Sequence, residues 1–111
     1  MLKNFKFAFL GIKSAASERT FQIFCVFAVA VIVLMFLFKV SLIEKLILIM
    51  TIAFTMALEL INSQIERVLD IFQPNHDSRI KVIKDISAGA VLIVCFGALI
   101  IGILIFWPYF K

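Results

Sequence analysis

Phe21-Gln22-Ile23-Phe24-Cys25-Val26-Phe27-Ala28-Val29-Ala30-Val31-Ile32-Val33-Leu34-Met35-Phe36-Leu37-Phe38 is almost wholly apolar, with Gln22 its single interruption. About 18 to 20 such residues in a helix cross a hydrocarbon core of about 30 Å. The segment from Lys39 to Lys45 is charged and short, and only an antiparallel hairpin of helices fits so brief a connection. A second apolar run begins at Leu46 and is clean to Leu58, then continues in helical register through Glu59, Asn62, Glu66 and Asp70. A third extends from about Ile86 to Trp107. These runs predict membrane spans over residues 20–38, 42–70 (with a polar extension) and 85–108. The first run has no small-residue cleavage site after it and further apolar runs follow, so it reads as a span and not a cleaved signal. Residues 2–17 set Phe5, Phe7, Phe9 and Leu10 among Lys3, Lys6 and Lys13, the composition of an amphipathic helix lying on a membrane surface.

The bulk composition agrees. The chain has 111 residues, 64% of them hydrophobic, with a mean hydropathy of +1.15. A soluble domain of this size cannot hide so much apolar surface. The expected fold class is therefore an all-α membrane protein in one domain over 1–111, with a surface helix and three transmembrane helices. The net charge of +4 is modest, and the basic residues flank the apolar runs, which reads as membrane-surface charge and excludes a nucleic-acid footprint. One His and two Cys exclude the usual zinc clusters, and Cys25 and Cys95 lie inside apolar runs as small hydrophobes.

Three spans put the termini on opposite sides. Eight of the 11 basic residues fall on the N-terminal side together with the 67–85 loop: Lys3, Lys6, Lys13, Arg19, Arg67, Arg79, Lys81 and Lys84. Only Lys39, Lys45 and Lys111 fall on the other. The positive-inside rule then expects the N-terminus and that loop in the cytoplasm and the C-terminus outside, with Trp107 and Tyr109 at the far interface.

Glu59, Asn62, Ser63, Glu66 and Asp70 follow the spacing i, i+3, i+4, i+7, i+11, one narrow stripe of a helix. A carboxylate within a bilayer costs several kcal/mol, so such a stripe persists when cations, donors or a watery cleft offset it. Glu59 stands about 16 Å of helix rise beyond Asp70 and so lies deep. A deep carboxylate could accept a proton from a lipid hydroxyl, and a shallower one suits a divalent cation, which takes hard oxygen ligands. Asp70 alone reads as a solvated helix-end residue, whereas Glu59 with Asn62 inside an apolar helix points to function.

The second cluster is Arg79, Lys81, Lys84 and Asp85, followed by Ser87-Ala88-Gly89-Ala90. Cations here could hold phosphates, although positive-inside bias alone would also place the lysines. Asp85 is expected in the first turn of the third span, where it suits the helix dipole. The small residues permit close helix approach. Glu18 is a third acidic group at this depth, or else a helix-end charge paired with Arg19. No P-loop, Gly-rich phosphate motif or protein-kinase catalytic loop is present.

Glu59-x-x-Asn62-Ser63-x-x-Glu66-x-x-x-Asp70, then Lys84-Asp85 and Ile-Ser-Ala-Gly-Ala-Val-Leu, resembles the prokaryotic diacylglycerol kinase family, which includes undecaprenol kinases. The opening Phe5-Lys6-Phe7-Ala8-Phe9-Leu10-Gly11-Ile12-Lys13 and Ser17-Glu18-Arg19-x-Phe21 resemble it too, so the likeness covers nearly the whole chain. It implies a homotrimeric helical bundle in the bacterial inner membrane that moves the γ-phosphate of ATP to a lipid hydroxyl with Mg2+. By resemblance, Glu59 is the proton acceptor, Glu18 and Glu66 hold the metal, and Asn62, Ser63 and Asp70 support the site. Lys84 and Asp85 would contact the nucleotide together with Glu18 and Glu66, and Asn75, His76 and Asp77 fall where the family's loop touches it. Phe7 stands where the family often has Tyr, Phe24 where relatives carry a polar residue, and the stretch from Gly11 to Glu18 is one residue shorter.

Undecaprenol is the expected acceptor and diacylglycerol the alternative, because the run after Lys84-Asp85 looks more like the undecaprenol type. Two other classes compete. A small oligomeric proton-coupled transporter would use Glu59 as its intramembrane carboxylate but has no need of Lys84-Asp85 beside Glu66 and Glu18. A non-catalytic scaffold gains nothing evident from the acidic stripe.

Overall fold

A computed structural model of the chain describes residues 2–72 and 77–110. Among the described residues every regular element is helical: α1 over Leu2–Ala15, α2 over Arg19–Leu37, α3 over Leu42–Phe72 and α4 over Ser78–Phe106, closed by a short 3-10 turn at Trp107–Phe110. Three of these helices are long and apolar enough to cross a membrane. The apolar content forces this outcome, since a helix satisfies every backbone donor and acceptor internally where no water can. Only 11%, 17% and 11% of the most apolar windows of the three spans are buried within the chain. Side chains such as Val26, Phe27, Phe36 and Ile93 therefore face outward, where lipid solvates them as well as a protein core would.

α1 stands apart from the bundle. Its residues are exposed up to Ala15, which is buried at the junction with α2. At about 100° per residue, Leu2, Phe5, Phe9 and Ile12 share one face, bordered by Lys6 and Lys13, while Leu10 falls among the lysines and Phe7 beyond Lys3. The helix ends at Ala15, two residues before the expected limit, because a tight turn follows. There the Ala16 N–H donates to the Ile12 carbonyl at 2.9 Å, and the Ser17 hydroxyl donates to the Ser14 carbonyl at 2.7 Å. Gln22, the polar interruption in the first apolar run, donates from its amide to the Ala16 carbonyl at 2.9 Å and so ties α2 to the end of α1.

The α2–α3 hairpin is closed by Lys39, whose φ of 51° is left-handed, and by a reciprocal cap at the start of α3. The Ser41 N–H donates to Glu44 Oε1 at 3.0 Å, and the Glu44 N–H donates to Ser41 Oγ at 3.2 Å. This satisfies two helix-end donors at once. Beneath the hairpin lies the buried apolar cluster of Met35, Val40, Leu48, Ile105 and Phe106. Pro108 lacks the N–H that would continue α4, and the chain turns over the hairpin. Phe38 then meets the rings of Phe106, Tyr109 and Phe110, with centroids 6.2, 6.2 and 4.9 Å away. The Tyr109 hydroxyl donates to Glu44 Oε1 at 2.6 Å. This end of the bundle is thus pinned by packing and a polar latch, which leaves the functional groups to the opposite end.

The third apolar helix begins at Ser78, well before the apolar run at Ile86. Its first turns are polar and carry Arg79, Lys81, Lys84 and Asp85. Asp85 therefore does not sit in the first turn, as the hydropathy boundary suggested. Asp77 holds the helix end instead and accepts from the Arg79 N–H at 2.8 Å. Hydropathy marks where lipid begins, and the cap marks where the helix begins.

Candidate active site

α3 positions the site. Its buried residues are Leu48, Thr55, Glu59 and Asn62, so the polar stripe faces the neighbouring helices and not lipid. Glu59 is only 5% exposed, the most enclosed ionisable side chain among the described residues. Thr55 lies one turn before it on the same face and is buried as well, extending the stripe beyond the carboxylate. About two turns of one helix thus hold the buried oxygen functions of Thr55, Glu59 and Asn62, which lipid contact would not tolerate.

α4 supplies the partner for Asn62. The Ser87 hydroxyl donates to Asn62 Oδ1 at 2.7 Å, at the head of the Ser87-Ala88-Gly89-Ala90 run. The bond fixes the rotation of the two helices against each other. Ser63 turns its hydroxyl back to the Leu60 carbonyl at 3.0 Å.

The carboxylates converge at the end of the bundle where α1 meets α2. Glu66 lies two turns from Glu59 on the same face of α3, and Glu18 stands at the start of α2. Glu18 is the N-cap residue of α2, yet its side chain makes no cap bond. It reaches across to the guanidinium of Arg67 on α3 instead. Its partner is thus Arg67 and not Arg19. Asp70 pairs with Lys84 across the α3–α4 seam, and Asp85 accepts from Lys81 at 2.8 Å one turn back on α4. Lys84 and Asp70 therefore form one unit beside the stripe. A cavity of about 420 Å³ opens here between α1 and α3, bordered by Gly11, Ala15, Glu18, Gln64 and Arg67.

A buried carboxylate, two shallower carboxylates and the cations paired with Glu18 and Asp70 lie toward the same end of the bundle. The arrangement suits removal of a proton from a buried hydroxyl beside a polyanion. Comparison with known sequences agrees with it: residues 6–106 match the family model described as prokaryotic diacylglycerol kinase.

The chain belongs to the prokaryotic diacylglycerol kinase family.

It is 39% identical over 107 residues to the undecaprenol kinase of Bacillus subtilis, covering 96% of this chain and 87% of that protein. It is 36% identical over 105 residues to a diacylglycerol kinase of Synechocystis, covering 92% of this chain and 59% of that longer protein. The chain is accordingly a multi-pass membrane lipid kinase, a phosphotransferase with an alcohol acceptor.

Of the residues singled out in this lipid kinase by sequence, Glu18, Glu59, Asn62, Glu66, Asp70 and Lys84 gather at one end of the bundle. Asp85 lies beside them on α4 in its pair with Lys81. Asn75 and His76 lie outside the described residues. Asp77 is engaged as a helix cap and in a pair with Arg79, whose guanidinium donates to it at 2.9 Å. Two residues escaped the sequence reading: Arg67, counted there only as membrane-surface charge, and Ser87, counted only as a small residue. The excess of carboxylates on the stripe was the available signal for Arg67, the nearest base in sequence to Glu66.

Asp77 carries a pH prediction. The hydrogen bonds from Arg79, side chain first and then backbone, hold its carboxyl below the usual carboxylate range. A carboxyl with a depressed folded-state value stabilises the fold above its unfolded value, and that stability is lost as pH falls through the lower, folded value. Helicity near Ser78 is expected to persist at neutral pH and to fray only below about pH 4. Asp77→Ala is expected to show faster amide exchange at Arg79 and Ile80 at neutral pH. Unchanged exchange in that variant would show that the cap does not hold the helix start.

Proposed function

We propose that the protein transfers the γ-phosphate of ATP to the hydroxyl of undecaprenol, yielding undecaprenyl phosphate and ADP. The observation that carries this reading is Glu59, a carboxylate buried within an apolar helix, with Asn62 one turn further on the same buried face. Its family supports a lipid alcohol as acceptor, and the 39% identical undecaprenol kinase, 87% of which the chain covers, supports undecaprenol.

Glu59 takes the proton of the lipid hydroxyl as that oxygen bonds to the γ-phosphorus. The bond from the γ-phosphorus to the β-phosphate oxygen breaks, and ADP leaves. Asn62, held by Ser87, fixes the α3 face on which Glu59 stands, and Ser63 and Asp70 support the same stripe. Lys84, steered by Asp70, presents its ammonium to the nucleotide phosphates. Asp85, Asp77 and the 75–76 segment border the nucleotide.

Magnesium fits the donor set. Glu18 and Glu66 offer hard oxygens. Mg2+ commonly takes one or two carboxylates and completes its shell with substrate phosphates and water. When bound, it neutralises the charge on those phosphates.

ATP is cytoplasmic, and the basic residues cluster at the mouth, so that end faces the cytoplasm of a bacterial inner membrane and the C-terminus faces outward. The sparsely buried spans pack against two further copies in a homotrimer. The test is transfer of label from radiolabelled ATP by the purified protein in lipid–detergent micelles with magnesium. Labelled undecaprenyl phosphate is expected. Labelled phosphatidic acid in its place would reassign the acceptor to diacylglycerol, and label in neither lipid would overturn the reading.

A further inference from the structure

Past Thr55, the buried face of α3 meets an apolar pocket of about 110 Å³ between α2, α3 and α4, open on one side. Phe24 and Val31 border it on α2, Thr55 and Met56 on α3, Ala98 and Gly102 on α4. Thr51 also lines it, but both threonine hydroxyls are spent: they donate at 2.7 Å to the carbonyls of Ile47 and Thr51 in their own helix. A hydroxyl has one proton to give, so neither threonine retains a donor for an occupant. Water needs two or more polar partners and gains little here, whereas apolar cavities of about 150 Å³ stay dry and accept small hydrocarbons.

The position of this space is as informative as its lining. Thr55 lies one helical turn from Glu59, about 6 Å along the axis. An alcohol oxygen poised at Glu59 therefore has the first few atoms of its chain at the cavity. In a polyprenol those atoms are all carbon and carry a methyl branch. In a diacylglycerol the ester carbonyl falls within the same distance of the hydroxyl and would enter a lining with no donor to meet it. Buried unsatisfied carbonyls are disfavoured, so the lining distinguishes the two acceptor classes.

We propose that this cavity is the chain-recognition subsite for the acceptor, holding the first branched hydrocarbon units of a long-chain polyprenol and selecting against ester-linked lipid alcohols. The inference rests on the reading of Glu59 as the acceptor of the hydroxyl proton. Ala98 and Gly102 are specificity-determining through their small size. A Cβ at Gly102 would meet no atom within 4 Å, so a side chain there has room to reach into the space without displacing the backbone.

The test uses the full chain in lipid vesicles and a polyprenol analogue with a photoreactive diazirine in its first two isoprene units. Cross-links mapped by mass spectrometry are expected at Thr55, Met56 and Ala98, competed by undecaprenol and not by dioleoylglycerol. Ala98→Leu and Gly102→Val are each expected to lower that labelling and to raise the KM for undecaprenol about tenfold or more with the KM for ATP unchanged, the scale of a methylene-sized change in an apolar pocket. Labelling confined to lipid-facing residues of the wild-type protein would overturn the subsite, as would an unaltered undecaprenol KM in both folded variants. The photolabel requires no transfer, so the two readings separate. Cavity-specific labelling without phosphate transfer would sink the kinase reading alone, and transfer with labelling elsewhere would sink the subsite alone.

Discussion

Glu59→Gln is expected to lower phosphate transfer by about 10²–10⁴-fold, the usual contribution of a positioned general base. Glutamine preserves the shape of the side chain and removes only its capacity to take the proton. The fold should not suffer. Glu59 is 5% exposed, so replacing an ion by a neutral amide at that depth relieves a desolvation cost. The variant is therefore expected to form the same oligomer, with a thermal midpoint equal to or above that of the parent. The measurement is a single-turnover transfer rate at saturating ATP and lipid, paired with size-exclusion in detergent. A variant that folds and turns over at the parental rate would remove Glu59 from the reaction.

Glu66→Gln is expected to raise the magnesium concentration for half-maximal rate by about 10–100-fold, the penalty seen when a metal site loses a supporting group. Glu66 is well suited to this role because, among the described residues, no hydrogen bond or ion pair to another side chain engages its carboxylate, whereas Glu18 is already committed to Arg67. Glu18→Gln would remove the second proposed ligand and also release Arg67, so its effect should extend to the α2–α3 contact, and that of Glu66→Gln should not. A magnesium titration at fixed ATP, read by product formation, distinguishes them. An unshifted midpoint for Glu66→Gln would take the metal away from that residue.

Much of this site is legible from the chain alone because its logic is periodic. Glu59, Asn62, Glu66 and Asp70 share a face on any α-helix, and polar oxygens inside an apolar run need a reason to be there. The partners are not legible in that way. Arg67 meets Glu18 from 49 residues away, and Ser87 meets Asn62 from 25. Neither distance has a period, and each depends on how two helices rotate and slide against each other. The same holds at the other end, where Tyr109 reaches Glu44 over 65 residues and closes the hairpin that Ser41 and Glu44 cap.

The amino-acid sequence by itself determined the number and type of the helices, the amphipathic start and the acidic stripe. Each follows from hydropathy and helical periodicity, which act over a few turns of one segment. Tertiary structure alone decided which cations answer Glu18 and Asp70, and that Glu59 is enclosed by protein instead of facing lipid. It also decided that small residues on α4 leave an apolar space one turn beyond Glu59. Between apolar helices in a bilayer no hydrophobic force selects a rotation, so side-chain packing and a handful of interhelical polar contacts make that choice. They exist only once the helices are together.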